Sequence, residues 1–218
     1  MSRSDAPGER RRLLAAAGAG YLLGMLPSAD MTARRLTGGS VDLRSAGSRN
    51  PGGMNALRVL GPRAGIVVAA ADIGKGVLAC IAGRALAGDA GAHTAGVAAV
   101  TGHCYPAAAR FRGGKGIATS FGQCVATFPA FAPLDAAIAT AVARIPGLRR
   151  PALVAVTVSS ASWILAGTVW WKRGLPNLWG PRPTATLPLA SAATCAVIAS
   201  RGLVGLLRRE AEPPTTSP

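Results

Sequence analysis

The sequence has few acidic residues, few aromatic residues and little charge overall. Of its 218 residues, nine are Asp or Glu, 5% are aromatic and 15% are charged, whereas a soluble domain carries roughly 25% charged residues. Half of the residues are hydrophobic, which excludes a disordered chain. The shortage of acid leaves a net charge of +15. Because the mean hydropathy is +0.33, this charge is typical of a membrane protein with basic loops rather than of a nucleic-acid-binding protein.

Cysteine and histidine are also scarce, and this excludes several chemistries. The four cysteines are widely separated, with no C-x-x-C pair, and each lies in an apolar stretch that favours a buried small side chain. A disulfide-stabilised secreted domain is therefore excluded. The two histidines, His93 and His103, are too few to suggest a metal site. The G-x-S-x-G motif of many serine hydrolases is also missing.

Apolar runs, in contrast, are abundant. A transmembrane helix needs about 20 mostly apolar residues, and seven stretches satisfy this wholly or in part. They are 13–33, 64–83, 91–109, 117–128, 130–143, 151–171 and 184–200, with 207 as an alternative end of the last. Prolines at 129 and 133 divide the fourth from the fifth. We therefore predict an all-α integral membrane protein with about seven transmembrane helices, and six as the competing count.

The distribution of basic residues predicts the orientation of these spans. With seven spans, the side holding the N-terminus carries eight Lys and Arg residues, the other side carries fifteen, and Lys75 lies within a span. Because basic loops stay in the cytoplasm, we predict a multi-pass protein of the cell membrane with its N-terminus outside and its C-terminus cytoplasmic. The basic triplet at 10–12 opposes this locally. The predicted division is an N-terminal tail at 1–12, a polytopic membrane domain at 13–207 and a disordered C-terminal tail at 208–218.

Three polar motifs interrupt the apolar pattern, and the first is the loop at 47–58. Its glycines allow backbone N–H groups to turn toward an anion. Arg58 carries a forked guanidinium suited to phosphate, and Ser48, Asn50 and Asn55 add uncharged donors. The alternative is an ordinary turn-rich loop, because turns contain the same residue types.

The second motif lies inside a predicted span. Asp72 and Lys75 are three residues apart and therefore share one helix face. Ionisable residues within a span are costly, so the pair is a functional candidate. The alternative is a structural ion pair that fixes helix packing, and the two roles are compatible.

The third motif joins the end of one span to the start of the next. His103 is followed by a basic stretch that ends in Gly113-Gly114-Lys115-Gly116. Backbone N–H groups at a helix start, together with Lys115, would converge on one anion. The stretch is not a P-loop, because the G-x-x-x-x-G-K spacing and a preceding strand are missing. A flexible basic loop against lipid headgroups is the alternative, and His103 is a base, an orienting group or a structural residue at a helix end.

Together the three motifs resemble the PlsY-type integral membrane glycerol-3-phosphate acyltransferases, which use acyl phosphate as the donor. The matching pieces are Gly47-Ser48-x-Asn50-x-Gly52-x-x-Asn55 with Arg58, Asp72-x-x-Lys75-Gly76, and Gly102-His103-x-x-Pro106 followed by Gly113-Gly114-Lys115-Gly116-x-Ala118-Thr119. The resemblance implies a seven-helix fold with the N-terminus outside. It also implies transfer of an acyl chain to the sn-1 hydroxyl of glycerol 3-phosphate, giving lysophosphatidic acid and inorganic phosphate.

The resemblance further implies roles for single residues. Four are implied to be catalytic: His103, Lys115, Ser48 and Asn50. Ten are implied to bind substrate phosphate: Ser48, Gly52, Gly53, Asn55, Arg58, Gly113, Gly114, Lys115, Gly116 and Thr119. Asp72 and Lys75 would support these loops, whereas Asn55 and His103 would either orient them or contact substrate. The implied partners are acyl phosphate, glycerol 3-phosphate, membrane lipids and an upstream enzyme that forms acyl phosphate, with no metal, organic cofactor or nucleic acid.

The second half of the chain departs from the family pattern. Ala152 stands where the family has a serine, and Ala199 and Gly202 lie in a stretch that replaces a His-Arg-x-Asn-Ile run. Arg49 replaces a glycine of the first motif, and Met25 replaces a serine of the first helix. Because lost polar partners weaken a substrate pocket, a non-catalytic or regulatory homologue that binds acyl phosphate or a phospholipid is the alternative. An anion transporter is a further alternative, although no inverted repeat supports it.

Overall fold

The computed structural model describes residues 6–210, with side-chain surroundings for 7–204, and every regular element in this part of the chain is helical. The helices have these bounds: α1 Ala6–Gly24, α2 Ser28–Thr37, α3 Gly53–Leu60, α4 Pro62–Cys104, α5 Ile117–Thr127, α6 Ala132–Ala143, α7 Pro151–Arg173 and α8 Thr186–Glu210. A 3-10 turn at Ala107–Ala109 follows α4. The all-α prediction is confirmed for the described residues.

Helix α4 reverses direction at Ala87 and Gly88. Ala87 has φ −143° and ψ 26°, and Gly88 has φ 64° and ψ −154°. Glycine adopts a positive φ without steric cost because it lacks a Cβ, so Gly88 permits the reversal. Residues 62–86 and 89–104 are the first arm and the second arm of the resulting helical hairpin.

The two arms of α4 approach most closely at Gly83 and Gly91. A Cβ on either glycine would overlap the backbone carbonyl oxygen of the other. Small residues at such a contact allow two helices to pack tightly where no water competes. The arms correspond to the spans predicted at 64–83 and 91–109.

The first predicted span, 13–33, is divided into two helices. Helix α1 ends at Gly24, and α2 begins at Ser28. Pro27 lies directly before α2, and its missing N–H and its ring prevent α1 from continuing through this point. Residues 6–12, which the sequence assigns to a tail, are part of α1.

The predicted division near Pro129 is present, because α5 ends at Thr127 and α6 begins at Ala132. At the other end of the chain, α8 includes residues 208–210, which the sequence assigns to the C-terminal tail. Residues 211–218, the rest of that predicted tail, lie outside the described residues.

Three helical stretches among the described residues are long and apolar enough to cross a membrane: Pro62–Ala109, Pro151–Arg173 and Thr186–Val204. The first contains both arms of α4. The shorter helix Ala132–Ala143 is also apolar. These stretches agree with the predicted integral membrane protein, whereas the number of crossings and the orientation of the termini stay predictions.

The connections between helices lie at two ends of the bundle. The site end contains the C-terminus of α4, the N-terminus of α5 and the loop at 38–52. The far end contains the α4 reversal, the C-terminus of α5 and the connection at 174–185 between α7 and α8. Asn177 of that connection donates from Nδ2 to the carbonyl oxygen of Thr127 (3.0 Å), which fixes the far end to α5.

The bundle is held together by an apolar cluster and by close backbone contacts. Phe128, Phe131, Trp163 and Leu187 pack together between α5, α6, α7 and α8, each at most 4% exposed. Burial of each large side chain from water contributes about 1.5–3 kcal/mol. On the other side of the bundle, Gly20 of α1 lies directly against the backbone of the second arm of α4.

Candidate functional site

Asp72 lies at the centre of a buried polar cluster at the site end. Its Oδ1 accepts a hydrogen bond from Ser28 Oγ (2.5 Å), and it lies 2.9 Å from Lys75 Nζ and 3.5 Å from His103 Nδ1. The side chains of Asp72 and Lys75 are only 2% and 5% exposed. The two residues that the sequence predicts on one helix face therefore form a buried ion pair.

The cluster joins segments that are distant in sequence. Ser28 begins α2, Asp72 and Lys75 belong to the first arm of α4, and His103 lies at the end of the second arm. The reversal of α4 is what returns His103 to the side of Asp72. Lys75 Nζ also donates to the carbonyl oxygen of Leu26 (3.1 Å), so the connection between α1 and α2 is tied to the same cluster.

A cavity of about 190 Å³ opens beside this cluster. Its lining includes two cationic side chains, Arg44 and Lys75, together with Ser28, Asp30 and His103. Guanidinium, ammonium and hydroxyl groups donate strong hydrogen bonds to phosphate oxygens. The cavity is therefore chemically suited to a small phosphate-bearing ligand.

Asn55 holds the first loop in place. Its side-chain Nδ2 donates to the carbonyl oxygens of Leu43 (2.9 Å) and Ala46 (3.0 Å), and its Oδ1 accepts from the backbone N–H of Ser48 (2.8 Å). Asn55 is 1% exposed. Both polar atoms of the Asn55 amide are therefore used by the loop backbone.

The segment at 113–116 forms a strap across the end of α4. The backbone N–H of Gly113 donates to the carbonyl oxygen of Cys104 (3.2 Å). The backbone N–H of Gly114 donates to the carbonyl oxygen of His103 (3.0 Å). A Cβ on Gly114 would overlap the His103 ring. These two N–H groups are engaged with α4 rather than directed at a ligand, so the glycines serve close packing against His103.

Arg201 of α8 holds the strap from the opposite side. Its Nη2 donates to the carbonyl oxygen of Gly113 (2.7 Å) and its Nε to that of Gly114 (3.3 Å). One residue earlier, Ser200 Oγ lies 2.9 Å from the hydroxyl of Tyr105. Sequence reasoning missed these contacts, although Arg201 lies in the stretch that departs from the family pattern.

Arg44 links the first loop to two other segments. It forms an ion pair with Asp30 of α2, and its Nε donates to the carbonyl oxygen of Arg112 (3.2 Å) in the segment before the strap. In the sequence, Arg44 is one of several basic loop residues, and no local pattern distinguishes it from the others. Only the fold brings the three segments together.

Four predicted site residues are not part of the cavity lining among the described residues. Arg58 and Lys115 are exposed, and Ser48 and Asn50 are half-buried. Lys115 directly follows Gly114, which lines the cavity. Its side chain therefore starts at the cavity edge.

The remaining predicted phosphate ligands occupy helix ends or helix contacts. Gly52 and Gly53 form the start of α3, and Gly116 caps α5 with φ +83°. Thr119 is fully buried, and its carbonyl oxygen lies where a Cβ on Gly76 would be. The structure therefore places Thr119 in the contact between α4 and α5 rather than in the cavity.

Among residues 6–210, no group of three or more His, Cys, Asp or Glu side chains is arranged to hold a metal ion. The charged groups at the site are instead Arg44 and Lys75, each paired with a carboxylate, Asp30 and Asp72 respectively.

The fold and the site define a polytopic helical membrane protein with a small cationic cavity at one end of its bundle. A family model described as glycerol-3-phosphate acyltransferase matches residues 14–202. A glycerol-3-phosphate acyltransferase of Jannaschia sp. (strain CCS1) is 35% identical over 193 residues, 88% of each chain. The chain belongs to the glycerol-3-phosphate acyltransferase family, which confirms the resemblance of the motifs and the prediction of a multi-pass membrane enzyme of this class.

One further relative and one solved structure support the same family assignment. A glycerol-3-phosphate acyltransferase of Exiguobacterium sibiricum is 46% identical over 110 residues, which span 50% of this chain and about half (52%) of that protein. The crystal structure of PlsY (YgiH), an integral membrane glycerol 3-phosphate acyltransferase in its glycerol 3-phosphate form, superposes with a TM-score of 0.69 at 27% identity. The superposition covers 91% of this chain and 92% of that one.

Proposed function

We propose that the protein transfers an acyl chain from acyl phosphate to the sn-1 hydroxyl of glycerol 3-phosphate. The hydroxyl oxygen attacks the acyl carbon, the bond from that carbon to the phosphate oxygen breaks, and the hydroxyl proton leaves with inorganic phosphate. Lysophosphatidic acid is the other product. The observation that carries this proposal is the cavity itself, where Arg44, Lys75 and His103 from three separate segments surround a space suited to phosphate.

Acyl phosphate is already activated, so this reaction needs no covalent nucleophile from the protein. Fixed charges and correct positioning supply the acceleration, and a substrate phosphate assists proton removal. In this mechanism Lys115 and Arg58 bind phosphate groups, while Ser48 and Asn50 donate to substrate oxygens. His103 lines the cavity beside the reacting groups, with Nδ1 facing Asp72 and Nε2 lying against Gly114 of the strap.

The backbone N–H groups of Gly53 and Gly116 would complete phosphate binding. Both lie at the start of a helix, where N–H groups lack an intrahelical acceptor and the helix dipole favours an anion. The N–H of Gly52 is not available for this role, because it donates to the carbonyl oxygen of Asn50 (2.9 Å). Asp72 and Asn55 position the loops without contacting substrate, because Asp72 Oδ1 and both polar atoms of the Asn55 amide are used by neighbouring protein groups.

Replacing either proposed phosphate ligand tests this function directly. Purified protein in detergent is given palmitoyl phosphate and labelled glycerol 3-phosphate, and lysophosphatidic acid is measured. Lys115→Ala and Arg58→Ala should each lower kcat/KM by about a hundredfold, because each removes a charge that acts at a phosphate. Arg173→Ala, an exposed arginine at the far end, is the control and should keep full activity. Equal activity in all four proteins would contradict the assignment.

A non-catalytic homologue that binds acyl phosphate is the second candidate. It is favoured by Ala152, Ala199 and Gly202, which lack the polar groups that the family resemblance leads one to expect. In the same assay, retained binding of palmitoyl phosphate without product from the parent protein would support this candidate and overturn the enzyme.

Arg201 is proposed to position the strap that carries Lys115. Arg201→Ala removes two hydrogen bonds to strap carbonyls, and we expect kcat to fall by about ten- to a hundredfold because small displacements of a binding group are costly. Arg201→Lys should recover part of the loss, since an ammonium group replaces one of the two bonds. Thermal unfolding in detergent serves as the control. A loss of activity that only follows a loss of folded protein would contradict a positioning role.

We also propose how the enzyme is oriented in the membrane and where its donor comes from. The fifteen-to-eight distribution of basic residues supports a cytoplasmic C-terminus and an external N-terminus. The site end would then face the cytoplasm, where an enzyme that forms acyl phosphate would supply the donor. The membrane acyltransferase domain is assigned to 13–207.

A further inference from the structure

A second and larger cavity lies at the far end of the bundle, opposite the proposed active site. Its volume is about 910 Å³, and it is bounded by the α4 reversal, the end of α7 and the connection at 174–185. Ligand pockets typically measure about 300–1,000 Å³. Nothing in the proposed acyl transfer uses this cavity, so its lining requires a separate explanation.

The walls of the far-end cavity are held by hydrogen bonds. Asn177 Nδ2 donates to the carbonyl oxygens of Thr127 (3.0 Å) and Pro181 (2.7 Å). Trp170 Nε1 donates to the carbonyl oxygen of Pro176 (3.0 Å). The connection between α7 and α8 is thus fixed to α5 and α7, and the cavity is preformed.

One cationic side chain of the lining is available to a ligand. Asp89, the acidic residue of the lining, has both oxygens occupied, because Arg84 Nε lies 3.1 Å from Oδ1 and the backbone N–H of Arg182 donates to Oδ2 (3.1 Å). The bond from Arg182 comes from its backbone and not from its guanidinium. Among the described residues, the Arg182 side chain has no acidic partner, so its charge is free to bind an anion.

Asn177, which also lines the cavity, has a buried hydrogen-bond acceptor. It is 5% exposed, and its Oδ1 has no hydrogen-bond partner among the described residues. Because Nδ2 donates to two carbonyl oxygens, the orientation of the amide is fixed. A buried acceptor without a partner is costly, and a hydroxyl group of a ligand would satisfy it.

The rim of the cavity has the composition of a membrane interface. Leu178 and Trp179 are 67% and 65% exposed, and Lys172 lies 4.3 Å from the centre of the Trp171 ring. Tryptophan, leucine and lysine together are typical of the level at which lipid headgroups lie. A rim of this composition would lie at the headgroup level of a membrane.

We propose that the far-end cavity binds the headgroup of a phosphatidylglycerol-type lipid. Arg182 holds the lipid phosphate, Asn177 Oδ1 accepts a hydrogen bond from a headgroup hydroxyl, and the acyl chains pass Leu178 and Trp179. Free glycerol 3-phosphate has the same combination of phosphate and hydroxyl groups, but it lacks the chains that the apolar rim would contact.

Lipid retention measured by native mass spectrometry tests this site. The protein is equilibrated in mixed micelles of phosphatidylglycerol and phosphatidylcholine, and we expect one retained phosphatidylglycerol. Arg182→Gln should reduce retention about fivefold, the contribution of one basic residue near an anionic lipid. Arg173→Gln removes the same charge at the same end but outside the cavity lining, and it should retain the lipid. Equal losses in both variants would indicate diffuse attraction and overturn the site.

Two further comparisons identify the ligand. Phosphatidic acid has the phosphate without a headgroup hydroxyl, so it should be retained less than phosphatidylglycerol; equal retention would overturn the role of Asn177. Soluble glycerol 3-phosphate should not displace the lipid, and displacement would assign the cavity to the free compound instead. Arg182→Gln should keep full acyl transfer in neutral detergent. If the proposed acyl transfer is wrong, only the activity assay shows it. If the proposed lipid site is wrong, only the lipid-retention measurement shows it.

Discussion

Asp72→Ala is expected to abolish acyl transfer and to destabilise the protein by about 3–5 kcal/mol, the typical effect of breaking a buried ion pair. Asp72 accepts from Ser28 and faces both Lys75 and His103. Its removal leaves the Lys75 ammonium buried without its carboxylate and releases α2 and the end of α4 from their shared partner. Unfolding in detergent and lysophosphatidic acid formation measure the two effects.

A double variant separates folding from function at this cluster. Apolar residues of similar volume often replace a buried ion pair without loss of stability, so Asp72→Leu combined with Lys75→Met should recover much of the stability but none of the activity. Asp89→Ala removes a carboxylate that is itself 43% exposed and pairs with the exposed Arg84, and it should have a far smaller effect on stability. A double variant that regains activity would contradict the role of the charged pair in the site.

Gly76→Ala is expected to have the second-largest effect, through the contact between α4 and α5. A Cβ at Gly76 would overlap the carbonyl oxygen of Thr119 and approach the backbone nitrogen of Gln123 (3.1 Å). These are backbone atoms, so one helix must move, and overpacking of this kind typically costs about 1–3 kcal/mol. Because α5 follows the strap directly, we also expect lower acyl-transfer activity, measured with both substrates saturating.

Gly74 provides the matched control two residues away in the same helix. A Cβ there meets no other atom within 4 Å, and alanine is favoured over glycine inside a helix by about 0.5–1 kcal/mol. Gly74→Ala should therefore be neutral or slightly stabilising, with full activity. The proposed helix contact would be refuted by equal behaviour of the two alanine variants.

Much of the fold follows from local sequence patterns. The apolar runs predict both arms of α4, and Pro129 predicts the break between α5 and α6. Pro27 likewise indicates a break between α1 and α2. The apolar character of 13–33, however, led to the prediction of one continuous span. Periodicity and composition detect burial in lipid or protein, whereas they do not detect a proline turn within an apolar run.

The candidate site was only partly predictable. Asp72 and Lys75 were recognisable as a pair because three-residue spacing places side chains on one helix face. The glycines of the strap suggested free N–H groups, but Gly113 and Gly114 donate to the end of α4. Whether a backbone N–H faces a ligand or another carbonyl depends on which segment packs against it, and neighbouring residues in sequence do not decide this.

The shortage of acid and charge and the long apolar runs are enough to determine a helical membrane protein, and the three motifs are enough to determine its family. These features act locally, since each helix forms and enters the membrane according to its own residues. The tertiary structure alone decided that His103 meets Asp72, that Arg201 holds the strap, and that a second cavity lies at the far end. Those contacts join residues that are far apart in the chain, and they exist only after α4 has reversed at Gly88 and the other helices have packed around it.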